Sequence, residues 1–518
     1  MKDRLRMPLP AFLRPPARPR WGRLAVAAGL GAGVALGQVP FSLWPVAMVA
    51  LSVLLRMLAT GWAGWTAFAA GIGYVAAGMF WITEPFMVEA KVYGWMAPFA
   101  LILMGAGMGA FWALGAGLGA KLGHTTGRRA LGAAVGLAAS DALRSYIFTG
   151  FPWILFGHIW IGTPVAQGAA WIGAIGLSLC TLLVAALPWL RPGRAVQGVA
   201  VGAVAIGLAW WGGSLRLDAK VPPRDPAINL RLVQPNATQA LKWDPRYALP
   251  FFYRHLDLTA EPPAAGKPRP DLVIWPETAV PFLLDNPGDG LNMIAEAAGG
   301  VPVALGIQRS EGERYYNSLV VLGPDARVED LYDKSHLVPF GEYIPWGDEL
   351  SRFGISAFAA RTGNGYTPGA GETILDLGRL GKVEPLICYE AVFPQDIRRV
   401  PERPDWIMQA TNDAWFGNLS GPWQHMALSR LRAIEFGLPV ARAANTGVSV
   451  MIDARGEVTA ELGMNQQGVI DAALPPALPE TFYARWGDLP PIAAIVVLAF
   501  IILSWPRHYG VDRSFRQV

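Results

Sequence analysis

Two hydropathy patterns divide the chain. Up to about residue 212 apolar residues run on with few breaks, whereas beyond about 227 short apolar runs alternate with polar ones. A bilayer is crossed by about 20 apolar residues. Runs of that order lie at roughly 22–39, 41–57, 62–82, 95–119, 130–148, 164–189 and 194–212, with an eighth at 489–505 after a long polar gap. Asp141 and Arg144 interrupt the fifth, which implies either an ion pair turned into a helix bundle or a span that stops early. Between the seventh and eighth runs the pattern predicts strands over 228–233, 271–274, 301–307, 318–322, 328–332, 383–387, 406–410, 440–444 and 448–452, with helices over 245–257 and 424–436. Such alternation reads as a layered α/β domain. The expected organisation is a tail at 1–21, seven helices over 22–212, the α/β domain over 227–475, an eighth helix over 489–505 and a tail at 506–518.

Composition sharpens this picture. Of 518 residues, 53% are hydrophobic and only 16% charged, far from ordinary soluble usage. The 59 glycines and 21 tryptophans suit helices packing in lipid and anchoring at its interfaces. Gly29, Gly33 and Gly37 share helical spacing, as do Gly115 and Gly119, and predict close helix approaches. The net charge of +4 is a matter of topology and carries no nucleic-acid motif. Arg56, Lys121, Arg128, Arg129, Arg191, Arg194 and both tails fall on one side of the expected spans, while the short loops opposite hold only Lys91 and Arg144. The positive-inside rule then puts both tails in the cytoplasm and the α/β domain on the outer face. The basic start, Met1 to Arg23, leads into an apolar run that no small-residue cleavage site closes, so it reads as a retained anchor. No cysteine or histidine spacing suits a metal, and no cofactor is expected.

Candidate chemistry sits at strand ends. Cys180 lies in an apolar run and reads as a small hydrophobe. Cys388 instead ends the run Glu384-Pro385-Leu386-Ile387 and precedes Tyr389-Glu390. Two further strand ends carry Trp275-Pro276-Glu277 and Tyr332-Asp333-Lys334, the latter leading to Glu342. A thiol attacks only as thiolate, and its unperturbed pKa near 8.5 leaves little of it at neutral pH. Glu277 is the expected proton acceptor. Lys334 and the backbone N–H of Tyr389 are the expected oxyanion donors, and Glu342 would orient Lys334 or act as a second proton carrier. These residues predict acyl transfer through a covalent thioester.

The stretches Trp275–Thr278, Tyr332–Pro345, Cys388–Glu390 and Thr411–Gly417 resemble the nitrilase, or carbon–nitrogen hydrolase, superfamily. Together with the apolar runs, the whole chain resembles the apolipoprotein N-acyltransferase family. The resemblance implies an αββα sandwich inserted in an eight-helix bundle and a Glu277–Lys334–Cys388 triad. It implies supporting or substrate-binding roles for Glu342, Tyr389, Glu390, Trp243, Pro345 and Trp415. It also implies a membrane phospholipid as acyl donor, a diacylglyceryl-modified apolipoprotein as acceptor, a bacterial inner membrane location with the α/β domain in the periplasm, and a monomer. His425 is expected to be structural. Segments 243–258, with Phe251, Phe252 and Tyr253, and 340–346 are expected either to dip into headgroups or to pack in the core. A membrane-anchored amidase or nitrilase would use the same three residues on a small amide. The apolar runs favour the acyltransferase, since a soluble amide needs no such anchor.

Overall fold

A computed structural model describes residues 21–263, 265–345 and 365–505. Apart from Trp21, both expected tails lie outside the described residues, as does Trp346 of the second expected arm. Each of the eight apolar runs folds as a helix: α1 Trp21–Ala35, α2 Trp44–Ala59, α3 Ala63–Gly78, α4 Ala97–Leu122, α5 Thr126–Arg144, α6 Ala169–Ala186, α7 Ala195–Asp218 and, after the α/β domain, a last helix Leu489–Ser504. By length and apolarity alone, three helical stretches among the described residues (90–122, 164–189 and 195–218) are able to cross a membrane, and a fourth if α3 and the bent segment after it form one span. The first, second and last helices are shorter than the sequence pattern suggested.

Glycines decide how closely these helices pack. A Cβ on Gly115 would stand 2.2 Å from the Gly136 carbonyl oxygen, and one on Gly119 would stand 2.0 Å from that of Gly132, so α4 and α5 touch backbone to backbone. On α1 the expectation is only partly met. Gly33 and Gly37 face Ala50 and Ala47 of α2, but Gly29 has nothing within 4 Å, and Gly31 makes the close approach to Ala70 of α3. The Asp141–Arg144 question resolves as both alternatives at once. The pair is buried at 3.0 Å, and α5 ends at Arg144. The guanidinium then holds the carbonyls of Phe151, Trp153 and Ile154, while Asp141 takes the Phe156 N–H and the Ser178 hydroxyl. A buried charge pair with its remaining valences filled can fix the loop after a helix end.

The α/β domain is two mixed sheets face to face. One has the order β12-β1-β2-β3-β4-β5, where β1 is Asn229–Gln234, β2 Leu272–Ile274, β3 Val303–Glu311, β4 Arg314–Leu322, β5 Val328–Asp333 and β12 Gly468–Ala473. The other has the order β11-β10-β9-β8-β7-β6, with β6 Leu375–Asp376, β7 Lys382–Ile387, β8 Trp406–Thr411, β9 Val440–Ala444, β10 Ser449–Ile452 and β11 Val458–Leu462. Leu230, Leu232, Leu272 and Ile274 meet Val383, Ile387, Met408 and Ala441 between the sheets. Helices α8 (Pro245–Ala260) and α9 (Gly290–Ala298) cover the first sheet's outer face, and α10 (Gly421–Phe436) covers the second's. This is the expected αββα sandwich. Strands β6, β11 and β12 and helix α9 escaped the sequence pattern. β11 alternates half-buried with exposed residues at a sheet edge, which dilutes its apolar signal.

Candidate active site

Glu277 stands three residues beyond the end of β2, Lys334 directly after β5 and Cys388 directly after β7. The first two strands belong to one sheet and the third to the other, so the site forms where the sheets face each other. Lys334 is fully buried, with its Nζ 2.9 Å from Glu342 Oε1 and 3.7 Å from Glu277 Oε1. Asn317 of β4 spans both acids, its Nδ2 donating to Glu277 Oε1 at 2.7 Å and to Glu342 Oε1 at 3.3 Å. The other oxygen of Glu277 accepts the Asn412 N–H at 3.0 Å, and that of Glu342 accepts the Val338 N–H at 2.8 Å. Both carboxylates are therefore fixed at each end. Lys242 Nζ donates to the Glu277 carbonyl at 3.2 Å and to the Thr278 hydroxyl at 2.8 Å.

Cys388 opens a tight helical turn, Cys388–Val392, with φ +52°. That left-handed backbone costs a non-glycine residue about 1–3 kcal/mol and persists only where neighbours enforce it. Glu390 is one enforcer. It accepts the Ile387 N–H at 2.7 Å inside the turn, then reaches across to the Ser335 N–H at 2.7 Å, the His336 N–H at 3.1 Å and the Tyr332 hydroxyl at 2.6 Å. The segment carrying Lys334 is thereby tied to the segment carrying Cys388. Tyr389 packs its ring on Phe393 at 4.8 Å, and both belong to the core of the helix bundle.

The electrostatics suit a thiol that waits protonated. Burial pushes the Cys388 thiol up, the Glu277 charge pushes it further, and Lys334 and a hydrogen bond with Thr411 pull it back only in part. Burial works against the Lys334 ammonium, but the Glu342 and Glu277 carboxylates outweigh it and hold Lys334 above its ordinary value.

The remaining expected residues lie further out. Trp243, Pro345 and Trp415 are half-buried. The Trp243 ring lies 5.7 Å from Lys242 Nζ, and Trp415 sits on a short turn, Asp413–Phe416, just after Asn412. Among the expected arms, Phe251 and Phe252 are core, Phe252 packing on Trp275 and Phe282, while Tyr253 and Phe340 are exposed. Sequence reasoning missed Asn317 and Lys242, and it took in Thr411 and Asn412 only as part of the Thr411–Gly417 stretch, without a role for either. Asn317 lies just before the expected strand 318–322, and nothing within its own segment marks it.

Comparison with known proteins follows the same division. The carbon-nitrogen hydrolase family matches residues 230–482, and the apolipoprotein N-acyltransferase N-terminal domain matches residues 30–187. The apolipoprotein N-acyltransferase of Rhodopseudomonas palustris is 35% identical over 95% of this chain and 96% of its own. That of Sinorhizobium fredii is 38% identical over 85% of both chains. Among solved structures, XC1258 of Xanthomonas campestris, a CN-hydrolase superfamily protein, aligns with 52% of this chain and 97% of its own at 22% identity and a TM-score of 0.34, too distant to add to the family match.

Proposed function

The chain belongs to the apolipoprotein N-acyltransferase family, and from that premise we propose that Cys388 carries the acyl group as a thioester between two lipid-bearing partners. The protein is a membrane-associated acyltransferase of lipid and lipoprotein substrates. In the first half-reaction Cys388 Sγ attacks the ester carbonyl of a membrane phospholipid while its proton passes to Glu277. Lys334 and the Tyr389 N–H receive the charge that develops on the carbonyl oxygen, and one such donor contributes about 3–4 kcal/mol. The ester C–O bond breaks, Glu277 returns the proton to the leaving lysophospholipid, and a thioester remains. In the second half-reaction the neutral α-amine of a diacylglyceryl-cysteine attacks that thioester. Glu277 takes the amine's proton and delivers it to the departing Cys388 sulfur.

The observation that carries this reading is the convergence of strand ends from two sheets: Lys334 between Glu277 and Glu342, and a strained Cys388 at the end of β7. Its place next to the bundle supports a lipid donor. Burying each methylene is worth about 0.8 kcal/mol, so an acyl chain stays with apolar surroundings, and Tyr389, Val392 and Phe393 already pack into the bundle core. The proposed setting is the bacterial inner membrane, with the α/β domain in the periplasm and the chain acting as a monomer.

The test is Cys388→Ala. It is expected to insert and melt like the parent but to transfer no acyl chain, and incubation of the parent with phospholipid alone is expected to leave a hydroxylamine-labile acyl mass on the peptide containing Cys388. Transfer by the alanine variant would sink the thioester route.

A further inference from the structure

We infer that His425 is a positioning residue that clamps the backbone of Cys388, and that the helix bundle braces this clamp. The inference rests on Cys388 being the nucleophile. The imidazole is completely buried, and its Nε2 lies 3.0 Å from the Cys388 carbonyl oxygen. A carbonyl only accepts, so Nε2 is the donor. On the ring's other side Nδ1 lies 2.8 Å from Asp413 Oδ1. Arg442 Nη2 stands 3.1 Å from Nδ1 and also donates to both Asp413 oxygens, at 3.0 Å and 2.8 Å, so an anchored pair fixes this edge of the ring whether Nδ1 donates to the carboxylate or accepts from the guanidinium. Gln409 Nε2 stands further from the same carbonyl, at 3.3 Å, and is held by Ser429 through its oxygen.

The clamp has something to resist. Cys388 is held at φ +52°, and relaxation of that torsion would turn both the Cβ–Sγ arm and the carbonyl about the N–Cα bond, with the Tyr389 N–H following the carbonyl in their shared rigid peptide plane. Relaxation at this one bond therefore moves Sγ and the Tyr389 N–H together. A misplacement of about 1 Å costs on the order of 10²-fold in rate.

The ring is braced where the α/β domain meets the helix bundle. Trp153, in the loop that Arg144 secures, stacks on it with centroids 5.7 Å apart, and Phe416 meets it edge-on at 5.5 Å. The preceding residue makes the joint between the domains. Gln424 Oε1 accepts both the Trp153 indole N–H at 2.8 Å and the Trp81 indole N–H at 3.0 Å. Its Nε2 donates to the carbonyls of Gly78 at 2.9 Å and Val39 at 3.2 Å. The first turn of α10 thus carries bundle packing to the carbonyl of Cys388.

Full-length protein in phospholipid vesicles, given a diacylglyceryl lipopeptide, provides the test. His425→Phe keeps the ring's shape and loses both polar contacts. It is expected to lower kcat and the rate of thioester formation by about 10²-fold, with KM for both substrates within about threefold and the pH–rate limbs unmoved. His425→Gln extends an amide N–H to the Cys388 carbonyl and is expected to recover about tenfold of that loss. His425→Asn reaches only the Asp413 side and is expected to stay at the level of the phenylalanine variant. A phenylalanine variant within threefold of the parent, or a loss carried by KM, would overturn the inference. So would an asparagine variant equal to or better than the glutamine one, and that comparison still decides if the phenylalanine variant does not fold. Cys388→Ala run alongside separates the two claims. Its inactivity with a fully active His425→Phe refutes only the clamp, and its activity refutes the nucleophile.

Discussion

Asn317 is an amide through which both site carboxylates are held in register with Lys334. Hydrogen bonds to charged groups are worth about 1.5–3 kcal/mol, and a buried acceptor left empty costs more than the bond gained. Asn317→Leu is therefore expected to leave the two acids aimed less firmly, with kcat down tenfold to a hundredfold and thermal stability lowered; steady-state kinetics beside a melting curve check both. The strand-end positions of Cys388, Glu277 and Lys334 were legible because thiol, carboxylate and amine each follow a strand-like run. Asn317 was not, because an amide in a strand says nothing until the strand on either side is known. Glu390 was legible only as a supporting acid, and its actual task is to bridge the Cys388 turn to Ser335 and His336.

At the scale of elements, close helix packing and the α10–α6 junction make separate claims. Gly115→Ala would drive a Cβ to 2.0 Å from Ser140 Oγ and is expected to cost about 1–3 kcal/mol or more, whereas Gly29→Ala meets nothing within 4 Å and is expected to be neutral or slightly stabilising. Melting both variants in detergent tests the pair. Glu435 of α10 accepts the Ala174 N–H of α6 at 3.0 Å, just past the kink at Gly173, and pairs with Arg432 at 2.9 Å. Burial pushes its carboxyl up to about 7, with Arg432 pulling the other way. The folded protein thus keeps a proton that the unfolded chain releases in the ordinary glutamate range. Its stability contribution is greatest below that range and falls as the pH climbs through about 7. Glu435→Gln is expected to lose less stability than the parent between acid and neutral pH, a comparison that chemical denaturation at several pH values decides. A steeper loss in the variant would contradict the assignment.

On the whole molecule, the bundle and the α/β domain share a core. Tyr389, Val392, Phe393, Ala427, Leu428 and Leu431 of the domain pack with Trp81, Trp112, Trp153 and Phe156 of the bundle. Gln424→Leu would leave the Trp81 and Trp153 indole N–H groups unpaired at that seam, each costing about 1–3 kcal/mol. The expected result is a marked fall in melting temperature and a loss of transfer larger than any change in KM; an unchanged melt would show that the seam does not depend on this amide. The sequence by itself determined the apolar helices, the layered α/β domain and the strand ends bearing Cys388, Glu277 and Lys334, because hydrophobic period and side-chain chemistry are local properties. It did not place Gly31 rather than Gly29 at a helix contact, nor α9, nor strands β6, β11 and β12. Only the tertiary structure decided that Asn317 joins the two acids, that His425 meets the carbonyl of Cys388, and that Gln424 reaches a carbonyl 346 residues away in the bundle. Those contacts depend on how distant segments are packed against one another, and no pattern within a single segment encodes that.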